Sequence, residues 1–300
     1  MAQHSVCLTF DFDGMSIWIG SFKSNNPSMI SRGEFGGTVG LDRVLNLLAK
    51  YDAPGTFFIP GHTAWAWPDL VKKINDAGHE IGHHGWVHEN QALLELDAER
   101  EVMERGFEAL DHAVGVRPQG YRSAAWDFSP NTIDLLLEYN LLYSSSCMAS
   151  DFTPYYLRKG DRWSTTEPYE FGELVPLVEV PPSWGLDDFP PLEHVWGFNS
   201  GLMTPRHVEE LWREEFDYMI ENVPGGVYNL TCHPQFIGRG SRISMLDRLV
   251  GHFKQAGVRF ERLQEVAARF KDENPLEEWA AANPLRAGAN ARNARTPAQA

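Results

Sequence analysis

Apolar runs and helix-period stripes alternate along this chain, and the first run sets the frame for the rest. Residues 6–10 read as a buried strand that ends in Asp11-Phe12-Asp13-Gly14, where the glycine lets the backbone turn away. Residues 38–51 place Val39, Leu41, Val44, Leu45, Leu47 and Leu48 at helical spacing, and Ala53-Pro54-Gly55 stops that helix before a strand at 56–59. The rhythm repeats: helices are expected at 67–74, 97–114, 130–139, 204–222 and 241–256, and strands at 79–82, 119–122, 141–144, 174–180 and 226–232. Three stretches interrupt it. Residues 15–37 are rich in Ser, Asn and Gly without a clear period; because they carry Trp18, Ile19, Phe22 and Phe35, they read as a packed loop that walls a site. Residues 150–173 read as irregular, and a later loop carries Trp184, Asp187, Asp188 and Trp196.

Roughly seven strand-helix units in succession imply a parallel sheet, most simply a closed or nearly closed (β/α) barrel. Catalytic groups of such a barrel lie at the C-terminal ends of its strands. Asp11, Asp13, the residues around His83, Arg122 and His233 all fall there.

Strand side chains alternate between faces, so Asp11 and Asp13 point to the same side. Two carboxylates on one face of a buried strand repel each other and lose solvation, and they call for a cation, a proton or hydrogen-bond donors. Taken alone, the motif equally suits an ordinary turn in which one Asp caps backbone amides. His84-Gly85-Trp86-Val87-His88 shifts the balance. On a helical turn two imidazoles four apart share a face about 5–6 Å apart, which suits two ligands of one metal ion. With Asp13 they form a two-histidine, one-carboxylate set that leaves open positions for water and substrate. Asp11 is then free to take a proton from water. His233 ends the last predicted strand and precedes Pro234; it is either a core histidine bonded to backbone or a group that protonates a leaving atom near neutral pH. Arg122 is either a surface salt-bridge residue or the ion-pair partner that orients Asp11.

Composition narrows the setting. A length of 300 residues with 43% hydrophobic content fits one barrel or two smaller domains. A formal charge of -15 opposes nucleic acid or an anionic membrane as partner. No basic segment followed by an apolar run precedes the first strand, and Cys7, Cys147 and Cys232 are scattered and odd in number, so a cytoplasmic protein with reduced thiols is expected. Residues 1–270 are expected to be a single catalytic barrel. Residues 271–300, which from Trp279 onward lack an apolar period, are expected to be a tail or an oligomerisation arm.

Thr9-Phe10-Asp11-Phe12-Asp13-Gly14, His84 to His88, Arg122 to Trp126 and Leu230-Thr231-Cys232-His233-Pro234 together resemble the ordered motifs of the polysaccharide deacetylase (NodB-homology) family, over about residues 5–265. The resemblance implies a distorted (β/α)7 TIM-like barrel and a divalent metal, usually Zn2+ with Co2+, Ni2+ or Mn2+ as alternatives, that serves hydrolysis of a non-peptide C–N bond. It implies that Asp11 is the base, Asp13, His84 and His88 the metal ligands, Arg122 the tether of the base and His233 the acid. Trp126, Trp18, Glu34 and the backbone N–H of Ala125 are the expected substrate contacts.

The chain departs from the sugar deacetylases in three places: Phe12 separates the aspartates, Ala124 and Ala125 stand where Pro and Tyr are usual, and Gly85 replaces the Ser or Thr after the first metal histidine. These differences resemble a cytoplasmic branch of cyclic imide hydrolases, allantoinase-like enzymes and a peptidoglycan-deacetylase-like protein, which implies a homo-oligomer, a dimer or tetramer. A small cyclic imide or amide is the expected substrate, with an N-acetylated sugar or peptidoglycan as the alternative. Two readings of other classes stand beside it. An iron oxygenase shares the ligand set but not the β/α rhythm. A catalytically inactive metal-binding or structural protein has no use for the acid and base together.

Overall fold

A computed structural model of the chain describes residues 3–288. Its strands are β1 (Ser5–Asp11), β2 (Gly55–Ile59), β3 (Glu80–His83), β4 (Gly120–Tyr121), β5 (Tyr143–Ser144), β6 (Tyr155–Lys159), β7 (Glu173–Glu179), β8 (His194–Val195), β9 (Asn199–Ser200), β10 (Val227–Cys232) and β11 (Arg259–Phe260). Seven of them run parallel in the order β10-β1-β2-β3-β4-β5-β7, and β6 adds an antiparallel edge beyond β7. This is the distorted (β/α)7 barrel expected from the sequence. β1 lies inside the sheet and every one of its residues is buried, which is why it reads as a continuous apolar run.

The ring is not closed by a full strand ladder. Between β7 and β10 the gap is bridged by one parallel pair, Asp187 with Thr231, where the Asp188 N–H donates to the Thr231 carbonyl at 3.2 Å. The Asn229 amide reaches across the same gap to the carbonyls of Val180 (3.3 Å) and Pro181 (3.1 Å).

The structure corrects several local expectations. Residues 15–37 are helical rather than a loop: Ser16–Gly20 and Pro27–Phe35 are α-helices, and a π-helical turn, Gly36–Gly40, runs directly into Leu41–Tyr51. Pro27 sits in the first turn and the Asn26 side chain accepts from Ser28 N at 2.9 Å, so caps start the second helix although its apolar stripe is thin. Within 150–173, β6 pairs with β7 and buries Tyr155, Tyr156 and Leu157. β11 and the helices Leu263–Glu273 and Leu276–Ala282 follow the last predicted helix. Trp279, expected at the start of a tail, is buried with its ring 5.5 Å from that of Tyr156 and 6.3 Å from that of Phe270. Residues 289–300 of the expected arm lie outside the described residues. Among those described, no helix is long and apolar enough to cross a membrane.

Candidate metal and catalytic centre

The centre is built where β1, β3, β4 and β10 end. Asp11 closes β1 and Asp13 follows two residues on; both are buried. Arg122, just past β4 and fully buried, donates from Nη1 to Asp11 Oδ1 at 2.7 Å and to Thr9 Oγ1 at 3.0 Å. Its other nitrogens bind the carbonyl (3.1 Å) and hydroxyl (2.9 Å) of Ser145, and its plane lies 4.2 Å from the Phe58 ring. Every edge of the guanidinium is held, so it offers Asp11 a charge in a fixed place. Burial pushes the Asp11 carboxyl up, but Arg122, His84 and His233 outweigh it and hold Asp11 below its ordinary value.

Asp13 has the opposite balance. Burial, with Asp11 adding to it and His233 opposing, raises its pKa well above the usual carboxylate range. Its Oδ2 accepts from Gln235 Nε2 at 3.1 Å, whereas Oδ1 is buried without a partner. Facing that oxygen are His84 Nε2 at 3.5 Å, also buried without a partner, and His88 Nε2 at 3.9 Å.

The two histidines do not share a helical face. Gly85 (φ +71°) and His88 (φ +63°) take left-handed backbone, and the Glu89 carboxylate accepts from Trp86 N (3.2 Å) and Val87 N (2.8 Å) where a helix would have its own bonds. The rings still meet, 5.0 Å apart and nearly perpendicular. Each is held by its Nδ1: that of His84 donates to the Arg122 carbonyl at 2.7 Å, and that of His88 lies 2.6 Å from Ser21 Oγ. Because Ser21 Oγ gives its proton to the His88 carbonyl (2.9 Å), it must accept from Nδ1. Both rings therefore carry the proton on Nδ1 and turn the Nε2 lone pair toward Asp13. Burial keeps both imidazoles neutral by lowering their pKa.

The donor atoms of Asp13, His84 and His88 lie within 4.8 Å of one another. Two of them, Asp13 Oδ1 and His84 Nε2, are orphaned in a buried place, an arrangement costing about 1–3 kcal/mol per group unless something binds there. An oxygen and two imidazole nitrogens suit a divalent cation such as zinc. A second group, Asp187, Asp188 and His233, is equally compact, but Asp188 and His233 bond each other and Asp187 accepts from Phe189 N at 2.6 Å. The Asp188 carboxylate accepts from His233 Nδ1 at 2.6 Å and from His233 N at 3.1 Å. Burial would lower the His233 pKa, yet Asp188 and Asp187 together raise it to about 10. Nε2 of His233 lies 3.9 Å from Asp11 Oδ2 and 3.8 Å from Asp13 Oδ2.

Asp188 and Gln235 belong to the centre and were not anticipated. The only cue to Asp188 was an adjacent acid pair in a loop, and nothing local marks Gln235. Of the expected substrate contacts, Trp126 and Ala125 line a cavity of about 270 Å³ over Asp11 and His233. Both hold left-handed backbone (φ +59° and +53°), rare for residues with a side chain. Trp18 and Glu34 do not line it: Trp18 is wholly buried behind the wall against Phe22 and Phe236, and Glu34 is exposed on its helix. The wall is made instead by Phe22, Phe189, Phe198 and Trp184, whose ring lies 4.2 Å from that of Trp126.

Known proteins share this architecture. Residues 1–144 match the family model described as polysaccharide deacetylase. The chain is 36% identical over 279 residues to a peptidoglycan deacetylase of Helicobacter pylori, an alignment spanning 88% of this chain and 95% of that one. A Mycobacterium smegmatis structure assigned to the polysaccharide deacetylases superposes with a TM-score of 0.79 and 34% identity over 91% of each chain. The Puue allantoinase structure shares the fold, with a TM-score of 0.74 at 22% identity over 91% of this chain and 92% of its own. The chain belongs to the polysaccharide deacetylase family and is a hydrolase of non-peptide carbon–nitrogen bonds.

Proposed function

We propose that the protein is a divalent-metal-dependent hydrolase that opens the C–N bond of a small cyclic imide or amide. The observation that carries this reading is the cavity: about 270 Å³, walled by tilted and edge-on aromatic rings and floored by Asp11 and His233. A flat ring with one polar edge fits such a space, whereas a linear polymer needs a groove open at both ends.

Asp13, His84 and His88 would hold the metal, zinc in the first instance. Bound there, it would supply Lewis acidity toward a carbonyl and lower the pKa of water. The chain's own groups do the rest. Asp11, held ionised by Arg122, accepts a proton from water as the water oxygen adds to the carbonyl carbon. The backbone N–H of Ala125, a residue lining the cavity, donates to the oxygen that gains charge. His233, kept protonated by Asp188, gives its proton to the nitrogen as the C–N bond breaks, because an amide anion is a poor leaving group. An imide thereby yields a carboxylate and a ring-opened amide.

A second reading, N-deacetylation of an N-acetylated sugar, is favoured by the likeness to the Helicobacter pylori peptidoglycan deacetylase. Hydrolysis of succinimide, hydantoin, allantoin and N-acetylglucosamine oligomers by purified protein, before and after chelation and after zinc is restored, separates them. Zinc-restored opening of a ring supports the proposal. Activity on the oligomers alone replaces the substrate class, and turnover that ignores the chelator sinks the metal. Light scattering is expected to give a dimer or tetramer.

A further inference from the structure

We propose that Gln235 is a positioning residue that reserves one oxygen of Asp13 for the protein and so fixes how the metal is held. The inference rests on the metal reading above. Gln235 is fully buried at the start of the short helix Pro234–Ile237, and its amide donates to Asp13 Oδ2 at 3.1 Å. The other oxygen, Oδ1, is left without a partner on the side where His84 Nε2 and His88 Nε2 converge. A carboxylate with both oxygens free can swing or bind a cation through both. With Oδ2 claimed, Asp13 offers a single oxygen, and more of the ion's coordination sphere remains for water and substrate.

Gln235 has an unusual seat. The π-helical turn Gly36–Gly40 turns Gly36 and Gly40 toward the segment after His233. A methyl group on Gly40 would stand 2.1 Å from the Pro234 carbonyl oxygen, and one on Gly36 would stand 3.0 Å from Gln235 Cβ and 3.2 Å from its Oε1. Gly36 has ordinary right-handed helical backbone (φ -56°), so its lack of a side chain answers this close approach and not the backbone. π-helical turns often mark functional sites, and here the turn lets the chain pass close enough to set the amide. The Oε1 of Gln235 has no partner of its own. A buried amide with a wasted acceptor is a costly way to fill space and fits a residue kept for its donor.

Two variants test this from different sides. Gln235→Leu removes the donor at similar volume; Gly36→Ala leaves Gln235 in place but displaces it. Zinc affinity is read by competition with a chromophoric chelator, coordination by the visible absorption of the Co2+-loaded protein, and folding by the melting temperature of the chelator-treated protein. Gln235→Leu is expected to bind zinc about 10- to 100-fold more weakly and to change the cobalt spectrum. Gly36→Ala is expected to shift both in the same direction by less. Variants that melt lower while keeping wild-type zinc affinity and cobalt spectrum would reduce Gln235 to packing and overturn the proposal. Wild-type protein that takes up neither ion overturns this inference together with the metal reading, whereas tight wild-type binding with unchanged variants overturns this inference alone.

Discussion

The two ends of the barrel both bury acids, and they treat them differently. At the N-terminal end, Glu80 accepts from Thr56 Oγ1 (2.8 Å), Tyr143 Oη (2.7 Å) and Gln264 N (3.1 Å). Beside it Glu261 binds the Ser5 hydroxyl and, at 2.9 Å, Arg269. At the C-terminal end, Asp13 and His84 each keep an atom without a partner, and His88, Ala125 and Trp126 hold left-handed backbone. At Glu80 and Glu261 the chain supplies the partners. Where the group is to meet something from outside, the chain withholds them and carries the cost.

The contrast predicts that substitutions at the two ends separate activity from stability. The largest effect is expected from Asp11→Asn, which keeps shape while removing the proposed proton acceptor: turnover per folded molecule should fall by about 10²- to 10⁴-fold, while the melting temperature drops because buried Arg122 loses its counter-charge. A variant that loses stability and keeps turnover would place Asp11 with the structural acids.

Glu179 lies between the two cases, and its effect should come next. Its Oε1 accepts from Ser146 N at 2.6 Å, its Oε2 has no partner, and burial raises its pKa from 4.5 to about 8. The folded state thus holds a proton that the unfolded chain releases. The stability this proton supports is complete below pH 4.5 and is lost as the pH rises toward about 8, with a slope approaching about 1.4 kcal/mol per pH unit. Urea midpoints across that window should fall for the wild type and stay flatter for Glu179→Gln. Equal slopes would show that the carboxyl is ionised in the fold.

The smallest effect should come from the satisfied end. Tyr143→Phe removes one donor from Glu80 and is expected to lower unfolding free energy by about 1–3 kcal/mol, read from urea denaturation, with turnover per folded molecule unchanged. Lost turnover in well-folded Tyr143→Phe protein would break the comparison between the ends.

How much of this was legible in the sequence depended on the range of the interaction. β1 and β10 announce themselves because strands buried on both faces are continuous apolar runs, and the residues that end them, Asp11 and His233, could be placed from local pattern alone. The pairing of His84 with His88 was visible, but its geometry was not: left-handed backbone at Gly85 and His88 and the Glu89 carboxylate on the intervening amides replace a helical turn, and a spacing of four is silent on that choice. Residues 15–37 hid their helices because Ser16–Gly20 is only five residues long and Pro27–Phe35 has a thin apolar stripe, so their packing of Trp18, Phe22 and Met29 onto Phe236 leaves no helical period to read. β6 escaped because Tyr155, Tyr156 and Leu157 are buried in succession, without the alternation that marks an edge strand. Asp188 and Gln235 were missed because each acts through a partner far away in sequence. That Phe198 lines the cavity while Trp18 lies behind its wall was hidden similarly, since which aromatic faces the cavity depends on the packing of several segments.

The sparse bridging between β7 and β10 has a consequence for how the chain is made. β1 is synthesised first, yet Ser5 pairs with Val227 and Phe10 with Cys232, so one backbone edge of β1 must wait for nearly the whole chain to follow. Contacts this distant in sequence slow folding and leave an apolar edge exposed meanwhile. The residue next to the bridging Asp187 is Asp188, which holds His233. Closing the ring and seating His233 on Asp188 are therefore one event, and a nascent chain released short of β10 has neither a finished barrel nor that ion pair.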